Sequence, residues 1–210
     1  RKNDSNGNNS GHVRIYQRDD NKTVVPIGWS QIGGDIDGEA ASDGWAGSFF
    51  TGANKMVSLS NNGSIIAIGS HYNDGGGNNS GHVRIFQRDA SNTTVVPHGW
   101  TQLGSDINGK AADERSGWSV SLSDTGSIVA IGAPNKNGGH VRIYERDENV
   151  ALGWTQLGDD INGSGTGDKA GTSISLNSNG SIIAIGAPNN DGGSNNSGHV
   201  RIFQRDASNT

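Results

Sequence analysis

The chain has 210 residues, only 30% of them hydrophobic and 34 of them glycine, with 16 Lys and Arg against 21 Asp and Glu for a net charge of −5. The absence of cysteine excludes disulfides, thiol catalysis, zinc ribbons and iron–sulfur clusters. There is no Lys/Arg run to suit nucleic acid or an anionic membrane, and the longest apolar run, near Ile65 to Ile68, is far too short to span a bilayer. So polar a composition forms a core only if the apolar residues are clustered regularly.

They are, in motifs that recur along the chain. The first, Gly-His-Val-Arg-Ile, runs from Gly11 to Ile15 and returns at Gly81, Gly139 and Gly198, with histidine spacings of 70, 58 and 59 residues. Next comes Gly-Trp-[Ser/Thr]-Gln-[Ile/Leu]-Gly, starting at Gly28, Gly99 and Gly153. An acidic segment follows it each time: Asp35-Ile-Asp37-Gly38, Asp106-Ile-Asn108-Gly109 and Asp160-Ile-Asn162-Gly163. Then come Ser-Leu-Ser or Ser-Leu-Asn around Leu59, Leu122 and Leu176, and Gly-Ser-Ile-[Ile/Val]-Ala-Ile-Gly from Gly63, Gly126 and Gly180.

Each period holds four strand-sized segments, which in the middle repeat are Trp118–Ser123, Ser127–Gly132, Gly139–Arg146 and Gly153–Gly158. In the first, Val120 and Leu122 alternate with Ser119, Ser121 and Ser123, the period of a half-buried strand. The second, Ile128-Val-Ala-Ile131, is continuously apolar and so expected to be covered on both faces. Between them Asp124-Thr125-Gly126, like Asn61-Asn62-Gly63 and Ser178-Asn179-Gly180, supplies the residues of a tight hairpin. No stretch carries a helical period between its glycines.

Four antiparallel strands per repeat define an all-β fold, a β-propeller of four-stranded blades; a stacked solenoid usually has fewer strands and shorter periods. The expected division is the last two strands of a blade in 1–34, complete blades in 45–104 and 117–158, and three strands of a fourth blade in 171–206. A closed ring of six or seven such repeats needs on the order of 350–400 residues, so the chain is expected to be a segment of a larger ring.

The run Ser119-Val-Ser-Leu-Ser and Gly126-Ser-Ile-Val-Ala-Ile-Gly-Ala-Pro134 resembles the FG-GAP repeat of integrin-α-like propellers, in particular its second family, found in secreted and surface proteins of microbes. Gly-Ala-Pro stands at Gly132 to Pro134 and at Gly186 to Pro188, replaced by Gly69-Ser70-His71 in the second blade. Phe-Gly is replaced by Ser116-Gly117-Trp118 and Ala170-Gly171-Thr172. The resemblance implies a secreted or cell-surface module for adhesion, extracellular assembly or ligand display, not an enzyme. Its expected partners are other extracellular proteins, glycans or copies of itself, with no nucleic acid and no membrane insertion. Integrin-type repeats carry a calcium loop in the first hairpin; here that hairpin has the single carboxylate Asp124, which is too few oxygens for calcium.

The other acidic loop offers more donors. Asp35, Asp37 and Asp43, then Asp106, Asn108 and Asp113, then Asp160, Asn162 and Asp168 place hard oxygens around a glycine turn, a pattern that suits calcium. The alternative is that these side chains bond backbone amides within a long connection. His12, His82, His140 and His199 lie one to a blade, too far apart to share a zinc, and Arg14, Arg84, Arg142 and Arg201 are expected to pair with loop acids. Trp29, Trp100 and Trp154 recur on the outermost strand, where they either form sugar platforms, making the chain a lectin, or cover the blade edge. Neither a nucleophile elbow nor a phosphate-binding loop occurs. Asn-x-Ser/Thr acceptors include Asn8, Asn78 and Asn195, which share one context before the third strand, with Asn21 and Asn92 next; Asn62 and Asn179 sit in tight turns.

Overall fold

The computed structural model describes residues 10–40 and 55–206; Asn8, Asp43 and Trp45 lie outside them. All of its regular structure is β. In chain order the strands are β1 (His12–Val13), β2 (Tyr16–Arg18), β3 (Trp29–Gln31), β4 (Ile36–Asp37), β5 (Val57–Leu59), β6 (Ile65–Ser70), β7 (His82–Arg88), β8 (Trp100–Gln102) and β9 (Ile107–Asn108). They continue with β10 (Ser119–Leu122), β11 (Ile128–Ala133), β12 (His140–Arg146), β13 (Trp154–Gln156), β14 (Ile161–Asn162), β15 (Ser173–Leu176), β16 (Ile182–Ala187) and β17 (His199–Gln204).

The strands form antiparallel meanders in the expected repeat. Strands β5-β6-β7-β8 make one sheet, β10-β11-β12-β13 the next and β15-β16-β17 a third, while β2-β3 and β1-β4 are the matching parts of the first repeat. The fourth strand is shorter than its motif suggests. Trp154–Gln156 pairs with the end of β12, and β14 then returns to the start of the same strand through His140↔Asn162 and Val141↔Ile161. The acidic segment, expected as a connecting loop, therefore contains a second piece of the sheet edge. Its order of polar, apolar, polar is itself a two-residue period, and it buries Ile36 and Ile107 in the core.

The Ser-Leu-Ser motif explains how first strands are held. Ser60 Oγ and Ser123 Oγ accept the amides of Ile65 and Ile128 across the hairpin, and Asn177 Oδ1 does the same for Ile182. The serine on the other side of the leucine reaches the next sheet: Ser58 Oγ accepts Leu122 N–H and Ser121 Oγ accepts Leu176 N–H, each at 3.0 Å. One short motif thus closes a turn and ties neighbouring sheets together.

The sheets stack face to face, and one interface is built three times. Val13, Ile15 and Ile36 pack on Ile66, Ile68, Phe86 and Trp100. Val83, Ile85 and Ile107 pack on Val129, Ile131, Tyr144 and Trp154. Val141, with Ile143 and Ile161, packs on Ile183, Ile185 and Phe203. Middle strands β6 and β11 are buried along their whole length, as their unbroken apolar runs require.

Approach between sheets is close enough to dictate a glycine. A Cβ on Gly132 would collide with the Gly171 carbonyl oxygen of the following repeat, and one on Gly69 with that of Gly117. The glycine of the Gly-Ala-Pro motif is therefore a contact residue between sheets. Gly132→Ala should cost about 2 kcal/mol through overpacking, read as a lower urea midpoint at unchanged m-value; an unaltered midpoint would show that the sheets sit further apart.

Candidate functional site

The repeated polar side chains meet at the seam between successive sheets. Third strands β7 and β12 present His and Arg two residues apart, on one side of the strand. Each faces an acid from the edge of its own sheet and another from the connection of the preceding repeat. In the middle of the chain Arg142 donates from Nη1 and Nη2 to Glu114 at 2.9 and 3.2 Å, and from Nε to Asp160 at 2.9 Å. Arg142 and Glu114 are both buried. One repeat earlier, Arg84 reaches Glu39 at 3.4 Å and the Asp37 carbonyl at 2.7 Å. Arg14 chelates Asp35 at the exposed start, and Arg201 donates to the Asn162 carbonyl.

These partners fix the local charge states. The Arg142 guanidinium and the Gln156 amide hold Asp160 below the usual carboxylate range against the opposing effect of burial. Glu114 is likewise held down, its burial outweighed by Arg142 and by the Lys110 backbone amide. Burial, with the Arg142 charge beside it, depresses His140.

Placement of the calcium candidates follows from the same contacts. Asp35, Asp106 and Asp160 accept the side-chain amides of Gln31, Gln102 and Gln156 respectively, and two of them carry an arginine. Asp37, Asn108 and Asn162 stand on edge strands opposite His12, His82 and His140. Asp113 lies at φ +61° with its amide bonded to the Asn78 carbonyl, and Asp168 accepts from Gly165 N–H and Asn190 Nδ2. The oxygens of Asp35, Asp106, Asp160 and Asp168 are thus already engaged by arginines and amides, which disfavours these four as ligands of a calcium ion.

Counting back from Gly117 and Gly171, Asp168 corresponds to Glu114, not to Asp113. Both members of that pair cap their own turn, through Lys110 N–H and Gly165 N–H. Glu39 directly follows the Asp35-Ile-Asp37-Gly38 turn. It comes within 4.8 Å of His82 and Asp106, a grouping able to hold a metal, but Arg84 sits against it and supplies the cation instead. The histidines do not meet one another; each of these two meets carboxylates.

Trp100 and Trp154 are 1% and 2% exposed. Their Nε1 atoms donate to the carbonyls of Ile32 at 3.1 Å and Leu103 at 2.9 Å, in the preceding repeat. Each indole fills a socket between sheets with its N–H on backbone, so neither is a sugar platform. Trp29, at the same position, is 49% exposed.

One cluster is not repeated. His71, which replaces the proline of Gly-Ala-Pro, places Nδ1 3.2 Å from Met56 Sδ and stands edge-on to Trp118. The Arg115 guanidinium lies 4.8 Å over Tyr72 and 5.9 Å from the centre of Trp118. Burial, assisted by Arg115, lowers His71 to about 4.

Four-stranded meanders stacked face to face, inner strands buried on both sides and an outer edge closed by Trp, define a segment of a β-propeller, and the repeats are its blades. No family model matches the chain, and no curated protein does. Among solved structures it is similar to the β-propeller domain of Myceliophteria thermophila Cps50 (Swd1), with TM-score 0.40 and 17% identity over 61% of this chain and 33% of that one. It is also similar to TolB from Acinetobacter baumannii, with TM-score 0.36 and 18% identity over 75% of this chain and 34% of that one. The chain spans about a third of the length of these two structures.

Two predictions follow from the seam. Removing the guanidinium in Arg142→Met leaves the buried Glu114 without its arginine counter-charge, and should cost about 3–5 kcal/mol. Arg14→Met, at a pair open to solvent, should cost less than about 1 kcal/mol; equal losses in urea titrations would contradict the buried seam. His71 is neutral when folded and takes a proton more readily when unfolded. Its contribution is therefore complete above pH 6.5 and lost as pH falls toward about 4. The loss is on the order of 3 kcal/mol, and His71→Gln should flatten stability across that window.

Proposed function

We propose that the chain is a non-catalytic propeller module of the FG-GAP type, secreted or held at a cell surface, serving adhesion, extracellular assembly or ligand display. Supporting this is the commitment of the repeated His, Arg, Asp and Trp side chains to joining blades, which leaves recognition to the exposed loops. The observation that carries it is at the hairpins between third and fourth strands. Val24, Val25 and Ile27 of the first repeat, and Val95 and Val96 of the second, are 66–82% exposed. Apolar side chains grouped on protruding tips mark contact with a partner. Other extracellular proteins, glycans or further copies of the chain are the partner classes consistent with this surface.

The FG-GAP assignment is favoured by Gly132, whose contact with Gly171 gives the motif's glycine a physical task. A secretory route is favoured by the acceptor asparagines Asn21, Asn78 and Asn195, which are exposed. Asn92 differs, because its Nδ2 already donates to the carbonyls of Pro97 and Trp100. In the turns, Asn62 and Asn179 accept from the serine of their own acceptor triplets.

Expressed through a eukaryotic secretory pathway, the chain should carry glycan at Asn78 and Asn195 and none at Asn92, read by peptide mass after glycosidase treatment. The function itself is tested on arrays of extracellular proteins and glycans. A Val25→Asp, Val96→Asp double variant should keep its melting temperature and lose about tenfold or more in binding signal. Retained binding would sink the role given to the tips, and a hydrolytic or transfer activity in the purified chain would sink the non-catalytic reading.

A further inference from the structure

One seam between blades carries side chains that the next seam lacks. Tyr72 stands where Asn135 and Asn189 stand in the following blades, and Trp118 where Thr172 does. Arg115 and its counterpart Lys169 share one turn geometry, at φ 57° and 58°, and their carbonyls accept the amides of Trp118 and Thr172 at 3.2 Å each. That backbone is therefore architectural, whereas the aromatic pair around Arg115 is not repeated. The Arg115 guanidinium is held 4.8 Å from the centre of Tyr72 and 5.9 Å from that of Trp118. Arg14, Arg84 and Arg142 each meet a carboxylate, but among the described residues none pairs with Arg115. Its Nε and the neighbouring indole Nε1 of Trp118 are both buried without a hydrogen-bond partner.

Two adjacent donors in one cluster, one of them cationic, call for an acceptor that carries negative charge. Ring faces attract a guanidinium but leave its in-plane N–H fork unmatched, and that fork fits a carboxylate. The chain's net charge of −5 repels a polyanion at long range, so the fit is to one anionic group recognised on contact. Beside the cation, the half-buried Tyr72 and Trp118 offer apolar rims and the adjoining Asn78 an exposed amide, a surface suited to the C–H faces and hydroxyls of a sugar. We propose that Arg115 anchors a binding site for the carboxylate of a sugar acid. The carboxylate takes the guanidinium fork, and the sugar ring lies against the two aromatic rims. Bidentate pairing gives preference over a neutral sugar, and aromatic contact gives preference over the acidic side chain of a peptide. The site lies on other loops than the valine tips and stands whether or not they bind a partner.

The 15N-labelled 210-residue chain is titrated with sodium glucuronate, glucose and N-acetylglutamate while the Arg115 Nε–H and Trp118 Nε1–H signals are followed by NMR. Glucuronate should shift both saturably, with glucose and N-acetylglutamate each binding about tenfold or more weakly. These comparisons use the unaltered protein, so no variant has to fold. Arg115→Lys keeps the charge and loses the planar fork, and should weaken glucuronate about tenfold at an unchanged urea midpoint. Equal shifts by glucose and glucuronate, or none by either, would overturn the site. N-acetylglutamate binding as tightly as glucuronate would overturn the sugar assignment, and unchanged glucuronate affinity in Arg115→Lys would overturn the contact with the guanidinium. Failure at the valine tips leaves both signals untouched, so the two tests are read apart.

Discussion

Everything in this molecule depends on sheets that must be covered on both faces. A strand such as Ile128-Val-Ala-Ile131 has no polar side to turn to water, so its sheet is stable only between two others. Each blade therefore offers one face to its predecessor and one to its successor. The contact repeats with the same residue types: branched aliphatics from the third strand and edge on one side, branched aliphatics with a large aromatic on the other. Burial of this kind is favourable by about 25 cal/mol per Å2 of apolar surface, which lets so polar a chain fold. On β17, which has no following sheet facing it among the described residues, the same positions are open. Val200 and Ile202, the counterparts of Val83 and Ile85, are 67% and 73% exposed.

Polar groups at the seam then set which blade meets which. Arg142 binds an acid of its own blade and one of the blade before, so the pair is satisfied only when neighbours are in register. A buried ion pair adds little net stability against an apolar alternative, because desolvation offsets the attraction. What it does here is penalise misalignment. The indole N–H bonds to Ile32 and Leu103 act in the same way. The repeated polar chemistry is thereby spent on assembly.

The fold was legible in the sequence because period and pattern reinforce each other. Motif spacing gave the repeat, alternation in Ser119 to Ser123 gave the first strand, and the unbroken run at Ile128 gave the doubly covered one; all three stand in the structure. Less legible was the meaning of single polar residues. Asp160 reads as a metal donor when only its neighbours in sequence are visible, yet its partners Arg142 and Gln156 come from other strands of the sheet. Glu114 was missed because its partners His140 and Arg142 lie in the next blade. The tryptophans were legible as fourth-strand residues, but the choice between sugar platform and edge cover was not, since alternation along one strand does not say whether another blade covers that face. An alignment of repeats anchored on the glycine before the first strand would have matched Glu114 with Asp168.

The central claim is that the fourth-strand indoles are sealed between blades and bonded to the preceding blade's backbone. Hydrogen–deuterium exchange of the indole N–H groups, followed by 15N-resolved NMR, measures this directly. The account predicts strongly protected signals for Trp100 and Trp154 and rapid exchange for Trp29. Exchange of all three at a common fast rate would contradict it, because the face-to-face stacking that buries two of them could not then exist.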